Sequence, residues 1–149
     1  MSARSKARKR ALDFLYEADI KKVLAADLFS ARGANELSQE PYVLVLINGV
    51  AEHLPKIDEL IITYAQGWDM DRMPPIDRNI LRIAIFEILW ATEIDIQVAC
   101  DEAVELAAKK LQKDPDDPKL LNIIQSSYRY AVNDHESRIS DYAQSNNEL

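Results

Sequence analysis

The sequence predicts an all-α protein, and three observations carry that prediction. One stretch, Pro74–Trp90 (PPIDRNILRIAIFEILW), is apolar nearly all the way round a helix, which marks a buried one. Apolar residues in the other segments recur at helical spacing, so each has one face to bury. Glycine occurs three times in 149 residues, which suits helices joined by short connections and argues against a β-rich fold.

Pro74 and Pro75 stop the preceding segment, because a residue ahead of proline is pushed out of the α region. Proline in the first turn of a new helix costs little, since those N–H groups have no intrahelical partner. Asp77 then places a negative charge near the positive end of the helix dipole. Ile80, Leu81, Ile83, Ala84, Ile85, Phe86, Ile88 and Leu89 follow and cover most of the circumference. The stretch is too short to span a bilayer and is interrupted by Asp77, Arg78, Arg82 and Glu87. It is the expected central helix, against which most others pack.

Residues 4–24 form the expected first helix, with Ala7, Ala11, Phe14, Leu15 and Ala18 on its apolar stripe. Ala25–Ala31 fits a short helix, and Gly33–Asn35 a turn. Pro41 opens the next helix, with Tyr42, Val45, Leu46, Gly49, Val50 and His53 expected inward; Pro55 marks a break or kink. Ile57, Leu60, Ile61 and Tyr64 continue the pattern, and Trp68 and Met70 should cover a core edge. After the central helix, Thr92–Asp95 is a turn, with Asp95 as N-cap of a helix reaching about Lys113. Its expected apolar face is Val98, Ala103, Leu106, Ala107 and Leu111. Asp114–Pro118 (DPDDP) breaks the chain. Lys119–Val132 is the last helix, with Leu120, Leu121, Ile124, Tyr128 and Ala131 inward. Residues 1–133 are expected to form one domain and 134–149 a polar, disordered tail.

Charge is unevenly spread. The net charge is −7, yet residues 1–10 hold Arg4, Lys6, Arg8, Lys9 and Arg10 and no acid. The rest of the chain carries 13 basic against 25 acidic residues, a formal −12. A basic patch on an acidic body confines phosphate binding to one place. Cations at a helix start oppose the dipole, so local stability does not explain them. A second charged surface is Asp77 and Arg78 with Arg82, where the two arginines lie one turn apart on one face.

Little else is chemically poised. His53 and His135 are far apart, and one cysteine, Cys100, builds neither a disulfide nor a Cys-rich zinc site. Three scattered glycines make no phosphate loop. The expectation is a binding module rather than an enzyme, with no metal or cofactor. No opening segment reads as a signal peptide and no apolar run reaches about 18 residues, so a soluble, cytoplasmic protein is expected.

Four stretches in order resemble the NusB family of transcription antitermination factors. ARSKARKRALDFLYEADI looks like the family's basic opening helix followed by the aromatic at Tyr16. GVAEHLPKIDELI (Gly49–Ile62) is similar to its second and third helices. IDRNILRIAIFEIL (Ile76–Leu89) is similar to its central helix, and VACDEAVELAAK (Val98–Lys109) to the one after. Each motif is weak alone; the ordered set, covering roughly residues 4–110, is specific.

The resemblance implies two three-helix subdomains sharing a long central helix. It implies a partner, the small-subunit ribosomal protein NusE. The pair would bind single-stranded boxA RNA of ribosomal operons within the transcription elongation complex. By position, Arg4, Lys6, Arg8 and Lys9 fall where the family's arginine-rich helix meets RNA. Asp77 and Arg78, with Arg82 beside them, fall near its NusE-facing surface. The C-terminal end departs from the family. Where the family has a Phe-Val-Asn-Gly-Val-Leu motif after a short Gly-containing loop, this chain reads LQKDPDDPKLLNIIQ. Lys119 and Asn122 match, while Leu120 replaces the phenylalanine and Ile123 the glycine. Lys119 is thereby carried over beside the RNA. The alternative is an interaction module of the same fold without specific RNA binding. Oligomeric state stays open, a homodimer being one outcome when the partner is absent.

Overall fold

The computed structural model describes residues 2–32, 41–91, 94–113 and 119–134. Regular structure among them is all helical: α1 (Ala3–Lys21), α2 (Ala25–Arg32), α3 (Tyr42–Glu52), α4 (Leu54–Tyr64), α5 (Pro75–Trp90), α6 (Ile96–Lys113) and α7 (Lys119–Arg129). A 3-10 turn spans Met70–Arg72, and a π-turn, Tyr130–Asp134, follows α7. The expected turn at Gly33–Asn35, the DPDDP break, the first two residues of the 92–95 turn and the tail from 135 lie outside the described residues.

α5 is the axis. Pro74 sits extended ahead of it and Pro75 opens it. All eight of its expected apolar residues are buried, together with Asp77, Asn79 and Glu87. α5 packs against α1, α3, α4, α6 and α7. On one side α1, α2 and α3 pack on one another; on the other, α7 packs on α4 and α6. This gives two three-helix groups that share α5. α1 runs antiparallel to α5: Arg8, near its start, reaches Glu87 near the end of α5, and Asp19, near its end, reaches Arg78 near the beginning.

The caps follow from sequence. Ser2 caps α1 by accepting from the Ser5 N–H at 3.1 Å, and Asp95 accepts from the Gln97 N–H at 2.9 Å ahead of α6. Pro55 lies in the first turn of α4, after a one-residue junction at His53.

Some faces are rotated from those expected. On α3 the buried set is Tyr42, Val43, Leu46, Ile47, Gly49 and Val50, while Val45 is exposed. Val43, Leu46, Ile47 and Val50 keep i, i+3, i+4, i+7 spacing, and Val45 falls outside that stripe. On α6, Val98 is exposed, and Ala99, Cys100, Ala103 and Ala107 face the core. Small residues there let α6 lie close along α5. On α7, Ile123 and Ser127 are buried alongside Leu120, Ile124 and Ala131, while Leu121 is only half-buried. Among the described residues, no helix is long and apolar enough to cross a membrane.

Candidate nucleic-acid interface

The start of α1 presents its cations in two ways. Arg4, Lys6 and Arg10 are exposed and Lys9 is half-buried. The Arg4 guanidinium lies over the Tyr42 ring, 5.1 Å from its centroid, and Arg10 lies 5.1 Å over Phe14. No acid occupies the first turn of α1, so the outward charge and the helix dipole add toward an anion.

Arg8, also expected at the RNA-contacting face, is instead turned inward. It is 3% exposed. Its Nε and Nη2 donate to the two Glu87 carboxylate oxygens at 2.6 and 2.8 Å, a bidentate fork. Its Nη1 lies 3.2 Å from Glu102. The Tyr42 hydroxyl donates to Glu87 at 2.7 Å, and the Ser5 hydroxyl to Glu102 at 3.2 Å. Burial works against the Arg8 charge, but bonding to Glu87 and the fields of Glu87 and Glu102 outweigh it, and its pKa is raised. Burial pushes the Tyr42 hydroxyl far up, and the Glu87 charge adds to this. The inward turn follows from helical phase together with the position of Glu87 across the seam. Arg8 lies beside Ala7 and one turn before Ala11 and Leu12, all buried, so its side chain enters the α1–α5 seam, where Glu87 requires a partner.

The expected partner surface is also largely internal. Asp77 is 1% exposed. Arg78 donates to Asp19 and to the Met70 carbonyl, each at 2.8 Å. Arg82 holds both oxygens of Asp58 at 3.0 and 3.1 Å and reaches Asp19 at 3.4 Å. Asn79 also donates to Asp19 at 3.0 Å. These groups tie α1, α4 and the 3-10 turn to α5. Arg82 and Asn79 also line a groove of about 380 Å³ between α1, the start of α2 and the end of α3.

Asp19 gives the ties a pH signature. Burial alone would raise its carboxyl, but hydrogen bonds from Arg78 and Asn79, with the charges of Arg78 and Arg82, hold it below the ordinary 3.8. A carboxyl lowered in the folded state stabilises above its unfolded value and loses that contribution as pH falls through the folded one. The stability difference between wild type and Asp19→Asn should therefore be full at neutral pH and shrink below 3.8. Urea unfolding at a series of pH values reads it; a difference constant across that range would show that Asp19 contributes no charge linkage.

Lys119 lies elsewhere. It is exposed, with its Nζ 5.3 Å over the Trp68 ring, just ahead of α5. The start of α1 meets α5 at Glu87, whereas the turn after Trp68 meets it at Arg78. Nine residues of α5 separate those anchors, about 13 Å at 1.5 Å per residue. Lys119 and Arg4 are thus not one compact patch. Ile123, which stands where the family has glycine, is 1% exposed; α7 uses it as core.

Sequence reading missed Tyr42, Glu87 and Glu102 as supports of the α1 start. One signal was present: Glu87 interrupts an apolar run, and a carboxylate on a buried helix needs a counter-charge. Which of five nearby cations in sequence would supply it depended on the phase of α1 against α5. Among the described residues, no group of His, Cys, Asp or Glu is placed to hold a metal ion.

Two helix groups on one buried axis, with a cationic helix start at one end, define an all-α bundle of the NusB type. Residues 5–126 match the model of the NusB family, and the chain belongs to that family. It is similar to the transcription antitermination proteins NusB of Salinispora arenicola and Salinispora tropica, each 47% identical over 128 residues, covering 82% of this chain and 91% of the relative. The NusB protein of Beutenbergia cavernae is 47% identical over 133 residues, covering 82% of this chain and 86% of the relative.

Proposed function

We propose that this chain is a transcription antitermination factor that binds single-stranded boxA-like RNA of ribosomal operons through the start of α1, paired with the ribosomal protein NusE, and so favours continued elongation. The observation that carries the RNA contact is the pair of exposed cations, Arg4 and Lys6, on a helix start with no acid in its first turn. Lys9 adds charge beside them. Lys119, at the other end of α5, would be reached only by RNA running along the body.

The test is Arg4→Ala/Lys6→Ala. Both side chains are exposed, so stability should stay within about 0.5 kcal/mol. Removing two cations from the phosphates of a single strand should flatten the slope of log affinity against log salt by about 1.4. Affinity for a boxA-like oligonucleotide should fall about tenfold or more, at one charge-assisted bond or so per cation. Fluorescence anisotropy at two salt concentrations, with and without NusE, reads both. Unchanged affinity and slope would remove the α1 start from the RNA site.

A second reading has its own support. The body is a formal −12, and Arg8, Arg78 and Arg82 are used internally. An interaction module of this fold without specific RNA binding would bind boxA-like and scrambled strands equally and weakly, with no effect of NusE.

A further inference from the structure

The Arg4 guanidinium rests on the Tyr42 ring, and that ring is not free to move. Tyr42 is 8% exposed, and its hydroxyl is fixed to Glu87 at 2.7 Å. Glu87 is fixed in turn by the fork from Arg8, whose guanidinium lies 5.9 Å from the same ring. Ser5, next to Arg4, is held to Glu102 on α6. Three helices, α3, α5 and α6, therefore converge on the first turns of α1, and the exposed Arg4 guanidinium has a rigid aromatic floor.

We infer that Tyr42 is a positioning residue for RNA: its clamped ring holds the exposed Arg4 guanidinium in the orientation that receives a backbone phosphate. The inference rests on the RNA-binding reading above. A guanidinium lying on a ring face keeps its N–H donors pointing outward in its own plane, where a phosphate can take two at once. Among the described residues, no carboxylate forms an ion pair with Arg4, so the ring is what orients it. A lysine at this position would carry the same charge without the planar fork. Lys6, with no ring contact among the described residues, makes a phosphate contact that does not depend on Tyr42.

A double-mutant cycle tests this, with a boxA-like single-stranded RNA and the full chain with NusE. Tyr42→Leu removes the floor and should weaken RNA binding about two- to fivefold, the range of an exposed cation–π contact. Tyr42→Phe keeps the ring and its packing but loses the hydroxyl bond that clamps it to Glu87, and should bind between wild type and Tyr42→Leu. Arg4→Lys leaves the core untouched and should lose about as much as Tyr42→Leu. In an Arg4→Ala background, Tyr42→Leu should cause no further loss, whereas in a Lys6→Ala background it should keep its full effect. An equal loss with and without Arg4 would overturn the inference, because Tyr42 would then act only through general stability. Should Tyr42→Leu fail to fold, Arg4→Lys binding as well as wild type would overturn it alone. If Arg4→Ala and Lys6→Ala are themselves both neutral for RNA, the binding reading falls and the inference falls with it, a result distinct from additive losses.

Discussion

Glu87→Ala should cost about 3–5 kcal/mol of folding stability, the usual penalty for stranding a buried charge. The charge stranded is Arg8, 3% exposed, whose fork onto Glu87 measures 2.6 and 2.8 Å. Glu102 remains at 3.2 Å from Arg8, but it is partly solvated and meets one nitrogen. The Tyr42 hydroxyl loses its acceptor in the same change. The pair need not stabilise relative to an apolar one, since desolvating two charges offsets much of their attraction. Arg8→Met/Glu87→Leu should therefore recover most of the loss, and the two single substitutions should be far from additive. Urea unfolding of the four proteins measures this. A Glu87→Ala variant within about 1 kcal/mol of wild type would mean that water reaches Arg8 and that the seam is open.

The fold was legible because its signals are local. Two prolines and an apolar run name the whole of α5 without knowledge of any neighbour. Faces were legible to within a fraction of a turn. Val45 and Val98 looked inward because they are apolar, but they fall off the buried stripe once α3 and α6 settle on α5. The charged residues were the least legible. Arg4 and Arg8 lie one turn apart in the same basic run, yet one is exposed and the other buried. Only the position of Glu87 across the seam decides between them, and that is a tertiary fact. The same holds for Asp77, Arg78 and Arg82, which read as an exposed charged edge. Asp77 is buried in the first turn of α5, while the two arginines tie Asp19, Asp58 and the Met70 carbonyl to it. A carboxylate on one helix finds its cation on another, and sequence spacing does not encode that distance.

Gly49 makes the crossing of α3 over α5 the second point of large expected effect. A Cβ there would sit 2.2, 2.3 and 2.7 Å from three atoms of the Phe86 ring, inside any tolerable contact. Phe86 is 6% exposed, so its ring has little room to retreat. The ring also neighbours His53 at 6.2 Å between centroids, and His53 stacks on Trp90 at 4.1 Å. Displacing the ring would therefore disturb the α3–α4 junction as well. Helix propensity pulls the other way, since alanine in a helix interior is better than glycine by roughly 1 kcal/mol. The clash should win. We expect Gly49→Ala to be destabilised by about 1–3 kcal/mol, and Gly49→Leu by the upper end of that range or more. Phe86→Leu shortens the obstructing side chain, so it should cost less in the Gly49→Ala background than in wild type. Chemical denaturation of the single and double variants gives the coupling directly. If Gly49→Ala is instead more stable than wild type, propensity decides at this position and α3 can shift off Phe86. If it is less stable and Phe86→Leu relieves it, the glycine is there because α3 and α5 cross with room for no more than a hydrogen between them.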